Sequence, residues 1–162
     1  MWEQISAELS SGGGPPFVII AVRIIGTIVF CGMIGYEREL HKNSAGLRTN
    51  ILVGIAAAAF ALITLTMLDT PMAGDDVQAD PLRLVEAVTN GVAFLAAGII
   101  VFSKGEVRGL TTGASLWISA SIGLAVGLGY WSIAAMVTLV GVFVLIVLRQ
   151  AQIAVGLKDE NE

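Results

Sequence analysis

Two groups of polar residues in an otherwise apolar sequence are candidates for chemistry or binding. The first lies within apolar segments and consists of Arg23, Glu86, Asn90 and Thr64. Ionisable groups are costly in hydrocarbon, so they tend to face the interior of a helical bundle and find partners there. At 1.5 Å per helical residue, Arg23 and Glu86 lie about 9 and 6 Å below one membrane surface, which predicts a salt bridge between them. The alternative is that Arg23 extends to the surface while Glu86 is a rim residue.

The second group is a cluster of mixed charge in loops on the other side. Its members are Glu37, Arg38, Glu39, Arg48, Thr49, Arg108, Thr111 and Thr112. The Arg48-Thr49 and Thr111-Thr112 pairs stand at expected helix N-termini, where free N–H groups favour anions such as the phosphate of a lipid or a solute. The alternative is that these charges only set the membrane orientation. Acidic Glu37 and Glu39 argue against that, because orientation depends on Lys and Arg.

No recognisable catalytic or metal-binding motif accompanies these groups. The chain has one His and one Cys, and it contains no zinc, P-loop or nucleophile-elbow signature. Glu37 and Glu39 make a poor cage for hydrated Mg²⁺, since cations surround them. We therefore expect a protein that is not an enzyme and has no cofactor and no metal site.

The elements that position these groups are long apolar runs. Of the 162 residues, 56% are hydrophobic and 14% are charged. Runs of about 18 apolar residues are long enough to cross a membrane as helices, and a soluble protein of this length has too little chain to shield five of them. The sequence predicts an all-α membrane bundle with spans 17–36, 51–68, 84–102, 112–128 and 131–148. The fourth span is the least apolar, so a re-entrant segment is the alternative there.

The orientation follows from the positive residues of the loops. Seven of the nine Lys and Arg residues fall on one side of the predicted spans, and only Arg83 falls on the other. The positive-inside rule then places the N-terminus outside and the C-terminus in the cytoplasm of a bacterial inner-membrane, multi-pass protein. Residues 1–16 are a flexible extracytoplasmic segment and residues 149–162 a cytoplasmic tail. The net charge of −4 disfavours a nucleic-acid partner.

Small residues indicate where the helices pack. In the fourth span they recur every four residues, and Gly35, Gly91 and Gly98 add small positions elsewhere: the stripe is Thr111, Ser115, Ser119, Gly123 and Gly127. Small residues let membrane helices approach closely, so the fourth helix is expected at the centre of the bundle and a homodimer is expected as the assembly. A lipid-facing fourth helix is the alternative.

The sequence also resembles a known family. The segments that carry the resemblance are Arg23, 35–39 (GYERE), 45–49 (AGLRT), 80–83 (DPLR), 91–98 (GVAFLAAG), 107–112 (VRGLTT), Trp117 and 123–125 (GLA). In order and spacing they are similar to the signatures of the MgtC/SapB membrane proteins. Asn50 stands where the family usually has His, Ala93 and Ala96 replace usual glycines, and Gly113 stands where Ala is common. The chain resembles the short form that lacks the C-terminal cytoplasmic domain.

The resemblance implies adaptation to low Mg²⁺, acid or life inside macrophages. It also implies a possible membrane protein partner, since the best-studied members are described as inhibitors of the F-type ATP synthase. We therefore predict a non-enzymatic inner-membrane protein that binds a membrane partner or an anionic lipid at its cytoplasmic face. The alternative is a transporter or channel for an ion, Mg²⁺ included, or for a small solute.

Overall fold

The computed structural model describes residues 14–69, 81–103 and 106–154, together with Trp2. Five helices make up almost all of this: α1 (Phe17–Leu40), α2 (Leu47–Asp69), α3 (Pro81–Ile99), α4 (Leu110–Leu128) and α5 (Trp131–Ala154). Each is long and apolar enough to cross a membrane. The prediction of an all-helical membrane bundle is confirmed. Most of the expected N-terminal segment and the tail beyond residue 154 lie outside the described residues.

The third span ends earlier than expected. It was predicted to continue to residue 102, but α3 stops at Ile99 and a two-stranded antiparallel ribbon follows, β1 (Val101–Ser103) and β2 (Glu106–Arg108). Apolarity cannot mark this end, because the residues on both sides of it are apolar. Pairing of the two strands satisfies backbone N–H and C=O groups beyond the end of the helix. In a membrane protein these groups need hydrogen-bond partners, as they do within a helix.

Helix α4 lies at the centre of the bundle and packs against each of the other four helices. In α4, 61% of the spanning residues are buried, whereas the share is 11% in α3. The central position that the small residues predicted is therefore observed. Ser115, Ser119, Gly123 and Gly127 of the stripe are buried, but Thr111 is exposed and Thr112 is buried in its place.

Helices α2 and α4 cross with their backbones in contact. A Cβ atom on Gly123 would collide with the carbonyl group of Gly54, and one on Gly127 would lie 2.8 Å from the Cα of Ala58. On the neighbouring helix, Cys31 is buried and its Sγ lies 3.3 Å from the carbonyl oxygen of Ser119. Such closeness maximises dispersion contacts where hydrophobic driving force is absent.

Helix α3 lies at the periphery, and two of its glycines do not pack as expected. A Cβ atom on Gly91 or Gly98 would meet nothing within 4 Å. The buried face of α3 is instead formed by Val92 and Ala96, which touch the cluster around α4. The prediction of packing glycines is wrong at these two positions within the described chain. It holds at Gly35, where an added Cβ would lie 2.8 Å from the Cα of Leu47.

Candidate functional site at the charged end of the bundle

The expected salt bridge between Arg23 and Glu86 is not formed. Arg23 donates a hydrogen bond of 2.7 Å from Nη1 to the carbonyl oxygen of Gly127, and Glu86 is exposed on α3. Two further members of this group are also apart from Arg23: Asn90 is exposed, and Thr64 donates to the carbonyl oxygen of Phe60 in its own helix. The four polar residues therefore do not form one site.

The end of α4 explains what Arg23 does. Gly129 adopts φ +90°, its N–H donates to the carbonyl of Val126 and the N–H of Tyr130 donates to that of Ala125, which is a Schellman motif. This pattern leaves the Gly127 carbonyl without a partner inside the helix. A cation at the negative end of a helix dipole is favourable, so Arg23 caps α4.

The opposite end of the bundle gathers most of the second group, and we call it the charged end: the end at which α1, α3 and α5 finish and α2 and α4 begin. Helix α1 finishes at Leu40, and Lys42 takes a left-handed conformation with φ 53°. Asn43 then closes the turn, since its N–H and its Nδ2 both donate to the carbonyl oxygen of Arg38.

Arg38 is the central side chain of this end and is almost wholly buried, with 7% of its side chain exposed. Nη2 donates to Oδ1 of Asn43 at 2.6 Å and lies 3.4 Å from Oγ1 of Thr112 on α4. Arg149 of α5 lies near enough to act on Arg38 as a like charge. Arg38 thus links α1 to α4, and it lines the same cavity as Arg149 of α5.

Glu37 lies beside Arg38 and is equally buried. Its Oε1 lies 3.0 Å from Nδ1 of His41, and its Oε2 lies 3.8 Å from Nη1 of Arg38. The same His41 nitrogen also lies 2.8 Å from the Glu37 carbonyl oxygen. A buried carboxylate needs compensation by positive charge, and Arg38 is the cation beside it.

The two helix N-termini that were predicted to attract anions differ in the structure. At α2, Oε2 of Glu39 accepts a hydrogen bond of 2.9 Å from the N–H of Leu47, so the chain's own carboxylate takes the anion position. The prediction of an external anion beside Arg48 and Thr49 is therefore wrong. At α4, the N-terminal position is Gly109 with φ 87°, and no side chain caps the first turn.

A cavity of about 740 Å³ opens beside the uncapped N-terminus of α4. Arg38, Lys42, Arg108 and Arg149 line it, together with polar and apolar residues: Asn43, Ser44, Thr111, Thr112, Val107, Gly109, Leu110, Val144, Leu145 and Leu148. Among these described lining residues none is acidic. The structure therefore unites Arg38, Arg108, Thr111 and Thr112 of the predicted group in one site and separates Glu39, Arg48 and Thr49 from it.

Known proteins resemble this chain in sequence over most of its length. The model of the MgtC family matches residues 24–153. The chain belongs to the MgtC family. Its MgtC-type relatives include the protein named "Putative magnesium transporter YhiD" from Escherichia coli K12, which is 34% identical over 80% of this chain and 60% of the relative. Protein MgtC of Brucella abortus strain 2308 is 37% identical over 83% of this chain and 53% of its own length.

Protein MgtC of Salmonella typhimurium strain 14028s is 35% identical over 84% of this chain and 54% of the relative. The chain thus matches little more than half of the length of these curated relatives. No solved structure matches it significantly.

Sequence reasoning missed one cation of the cavity and one buried amide. Arg149 counted only toward orientation, although it lines the cavity with Arg38 and Lys42. Asn50 was noted only as a departure from the family, yet its Oδ1 accepts a hydrogen bond of 2.8 Å from Ser119. Its Nδ2 donates to the carbonyl oxygens of Ala45 and Gly46. Asn50 directly precedes the predicted span 51–68, so the predicted pattern did not mark it as a buried residue.

Proposed function

We propose that this member of the MgtC family is a non-enzymatic protein of the bacterial inner membrane that acts by binding a membrane partner or lipid at its charged end. In this proposal the charged end faces the cytoplasm, and binding serves adaptation to low Mg²⁺ or related stress. The observation that carries the proposal is the cavity lined by Arg38, Lys42, Arg108 and Arg149. Basic pockets between transmembrane helices are typical sites for anionic headgroups and acidic segments.

The cavity supports binding because its described lining residues include four cations and no carboxylate. Arg38 contacts the carboxylate of Glu37 only at 3.8 Å, and Arg149 adds a like charge nearby. Holding cations close together in a partly desolvated space is electrostatically unfavourable, and an anionic partner offsets this repulsion. Through the family resemblance alone, the F-type ATP synthase is one protein partner to examine.

Site-specific photocrosslinking in native membranes tests the proposal. A photoreactive phenylalanine analogue at Ser44, which lines the cavity and is exposed, should yield a defined lipid or protein adduct. The matched control places the same analogue at Tyr130, which is exposed at the opposite end. The Ser44 adduct should disappear in the Arg149→Gln variant. Identical adducts from both positions, or none from Ser44, would contradict the proposal.

Transport of an ion is the second candidate, and the printed name of the relative YhiD favours it. The intramembrane polar residues give a transport pathway no support, since Arg23 caps α4 and Glu86 is exposed on another helix. Mg²⁺ flux into proteoliposomes decides between the candidates. Uptake above that of empty liposomes, abolished by Arg38→Gln, would establish transport, and equal leak in all samples would remove it.

A further inference from the structure

We infer that the cavity at the charged end is a binding site for a phosphate group of net negative charge, carried either by an anionic lipid headgroup or by free phosphate. This inference deepens the proposed function and rests on it. It specifies the ligand chemistry, and it distinguishes the cavity from every other basic position of the described chain.

The charge of the cavity selects an anion. Arg38, Lys42, Arg108 and Arg149 approach it from α1, the following turn, β2 and α5, and the described lining residues include no carboxylate. Arg149 is close enough to act on Arg38 as a like charge. Planar guanidinium groups match the oxygens of phosphate and can donate two parallel hydrogen bonds, so three arginines favour phosphate over a halide.

The buried guanidinium of Arg38 carries the strongest sign of a missing ligand. Nη2 is bonded to Asn43, but Nε is buried and has no hydrogen-bond partner among the described residues, and neither do the two carboxylate oxygens of neighbouring Glu37, which lies 3.8 Å from Nη1. A buried charged donor without an acceptor is costly, and native structures rarely leave one unexplained. Arg38 also lines the cavity, so its side chain borders the space in which an anionic ligand would bind.

The first turn of α4 adds donors to the same space. Gly109 precedes the helix and no side chain caps it, whereas Glu39 occupies the corresponding position at α2. Leu110, Thr111 and Thr112 line the cavity from this turn. Backbone N–H groups and the positive helix end favour a phosphate here, and the hydroxyl groups of the two threonines supplement them.

One wall of the cavity is apolar, which suits an amphiphile. Val144, Leu145 and Leu148 of α5 form this wall, and Val144 and Leu148 are exposed beyond it. A volume of about 740 Å³ lies within the usual range of ligand sites. A phosphate headgroup beside the arginines would leave its acyl chain along α5, whereas free phosphate would use the polar part alone.

Binding measurements on the full chain test the inference. The protein is placed in nanodiscs of phosphatidylcholine alone and in nanodiscs that also contain phosphatidylglycerol, and lipids that remain bound are identified by native mass spectrometry after gentle release. A parallel titration in neutral detergent uses inorganic phosphate, with sulfate and chloride as competitors. The variants are Lys42→Gln and Arg149→Gln, which remove single cavity charges, and the control is Arg48→Gln, which removes an exposed charge from the same end outside the cavity.

We expect retained phosphatidylglycerol, or saturable phosphate binding, that weakens roughly tenfold in Arg149→Gln, the effect of about one charged hydrogen bond. Lys42→Gln should weaken it less, and Arg48→Gln should not change it. Retention of the lipid without phosphate binding identifies a headgroup, and phosphate binding without lipid retention identifies a solute. Equal losses in all three variants, or no selective binding of either probe, would overturn the inference. A Ser44 protein adduct obtained alongside that negative result would leave the proposed function intact.

Discussion

Arg23 and Gly127 are joined by a hydrogen bond of 2.7 Å, from a guanidinium on α1 to a main-chain carbonyl at the last turn of α4. An added Cβ on Gly129 would lie 3.0 Å from Nη2 of Arg23, so the guanidinium lies directly against the turn that ends α4. The positive charge of Arg23 is thereby stabilised by the C-terminal end of α4 and not by a carboxylate. Its role in this structure is to fix the crossing of two helices.

Replacing Arg23 should therefore destabilise the bundle, whereas replacing Glu86 should not. Arg23→Gln removes a hydrogen bond from a charged donor and should lower the free energy of unfolding by about 1.5–3 kcal/mol. Glu86→Gln, at an exposed position, should stay within about 0.5 kcal/mol of the wild type. Unfolding by denaturant in detergent micelles measures both. A coupling energy above about 1 kcal/mol in the double mutant would restore the salt bridge as the correct description.

A methyl group at the crossing of α2 and α4 should be costly. Gly123→Ala places its Cβ against the backbone of Gly54, which cannot move aside as a side chain can. The expected loss is about 1–3 kcal/mol, as for overpacked cores. Gly91→Ala is the matched control, since its Cβ meets open space and Ala is the better helix former by up to about 1 kcal/mol. Equal effects of the two substitutions would show that the close contact is not tight in solution.

The buried amide of Asn50 should matter as much as a core side chain. Asn50→Ala leaves the hydroxyl of Ser119 and the carbonyl of Ala45 without this partner, whereas the carbonyl of Gly46 keeps the backbone N–H of residue 50, and we expect a loss of about 1–3 kcal/mol. Ser121→Ala is the control, because that hydroxyl is exposed and bonds only within its own helix. Thermal unfolding of the two variants compares them directly, and an unaffected Asn50→Ala protein would contradict the assigned role.

Cysteine labelling should place the charged end in the cytoplasm. The native Cys31 is buried, so the unmodified chain serves as the blank for a membrane-impermeant maleimide. Ser44→Cys should react only after the cytoplasmic side is opened, and Tyr130→Cys should react in intact cells from outside. The reason is the excess of Lys and Arg at the charged end. Reversed labelling would invert the orientation and move the proposed site to the other side of the membrane.

A homodimer, if it forms, must use a surface other than the small-residue stripe of α4, since that stripe is buried within the protomer. We propose the exposed face of α3, where Glu86 and Asn90 accompany open Gly91 and Gly98. Polar side chains at membrane depth favour a protein neighbour over lipid. Gly98→Leu should then convert a dimer to a monomer, as judged by mass measurement in mild detergent.

The control for this experiment is Ala56→Leu, which adds the same bulk to an exposed position of α2. It should leave the mass unchanged. A wild-type chain that is monomeric at high protein concentration would eliminate the α3 interface.

The helices could be predicted from the sequence because a long apolar run in a membrane can adopt few structures other than a helix. Partners were harder to predict, since they depend on contacts between distant residues. Arg149 lies near enough to Arg38 to act on it as a like charge, although 111 positions of the chain separate them. Nothing in the sequence around either residue predicts this proximity. The partner of Arg23 was missed for a different reason. Every residue has a backbone carbonyl, so the sequence does not show which one is free to accept a hydrogen bond, and only the turn at Gly129 makes the Gly127 carbonyl available.

The small-residue stripe of α4 correctly predicted the central position of this helix. The stripe was also the basis for expecting a homodimer, but its residues pack within the protomer. Ser115 and Ser119 are consumed by contacts within the protomer, to Thr112 and to Asn50. The anion site expected at α2 was wrong for a similar reason. Glu39 lies eight residues before Leu47, and only the turn between them shows that it caps α2 itself.

The contacts of α4 with all four other helices bear on how the chain is made. Rich in Gly, Ser and Thr, α4 is, with α3, the least hydropathic of the spans, so its partitioning from the translocon into lipid alone is weakly favoured. Segments leave the ribosome in N-terminal order, and α1, α2 and α3 are already in the bilayer when α4 emerges. Their exposed flanks offer α4 a proteinaceous surface in place of acyl chains. We therefore expect insertion of α4 into the membrane to depend on its contacts with α1, α2 and α3. Membrane integration and tertiary assembly would then be coupled for this chain.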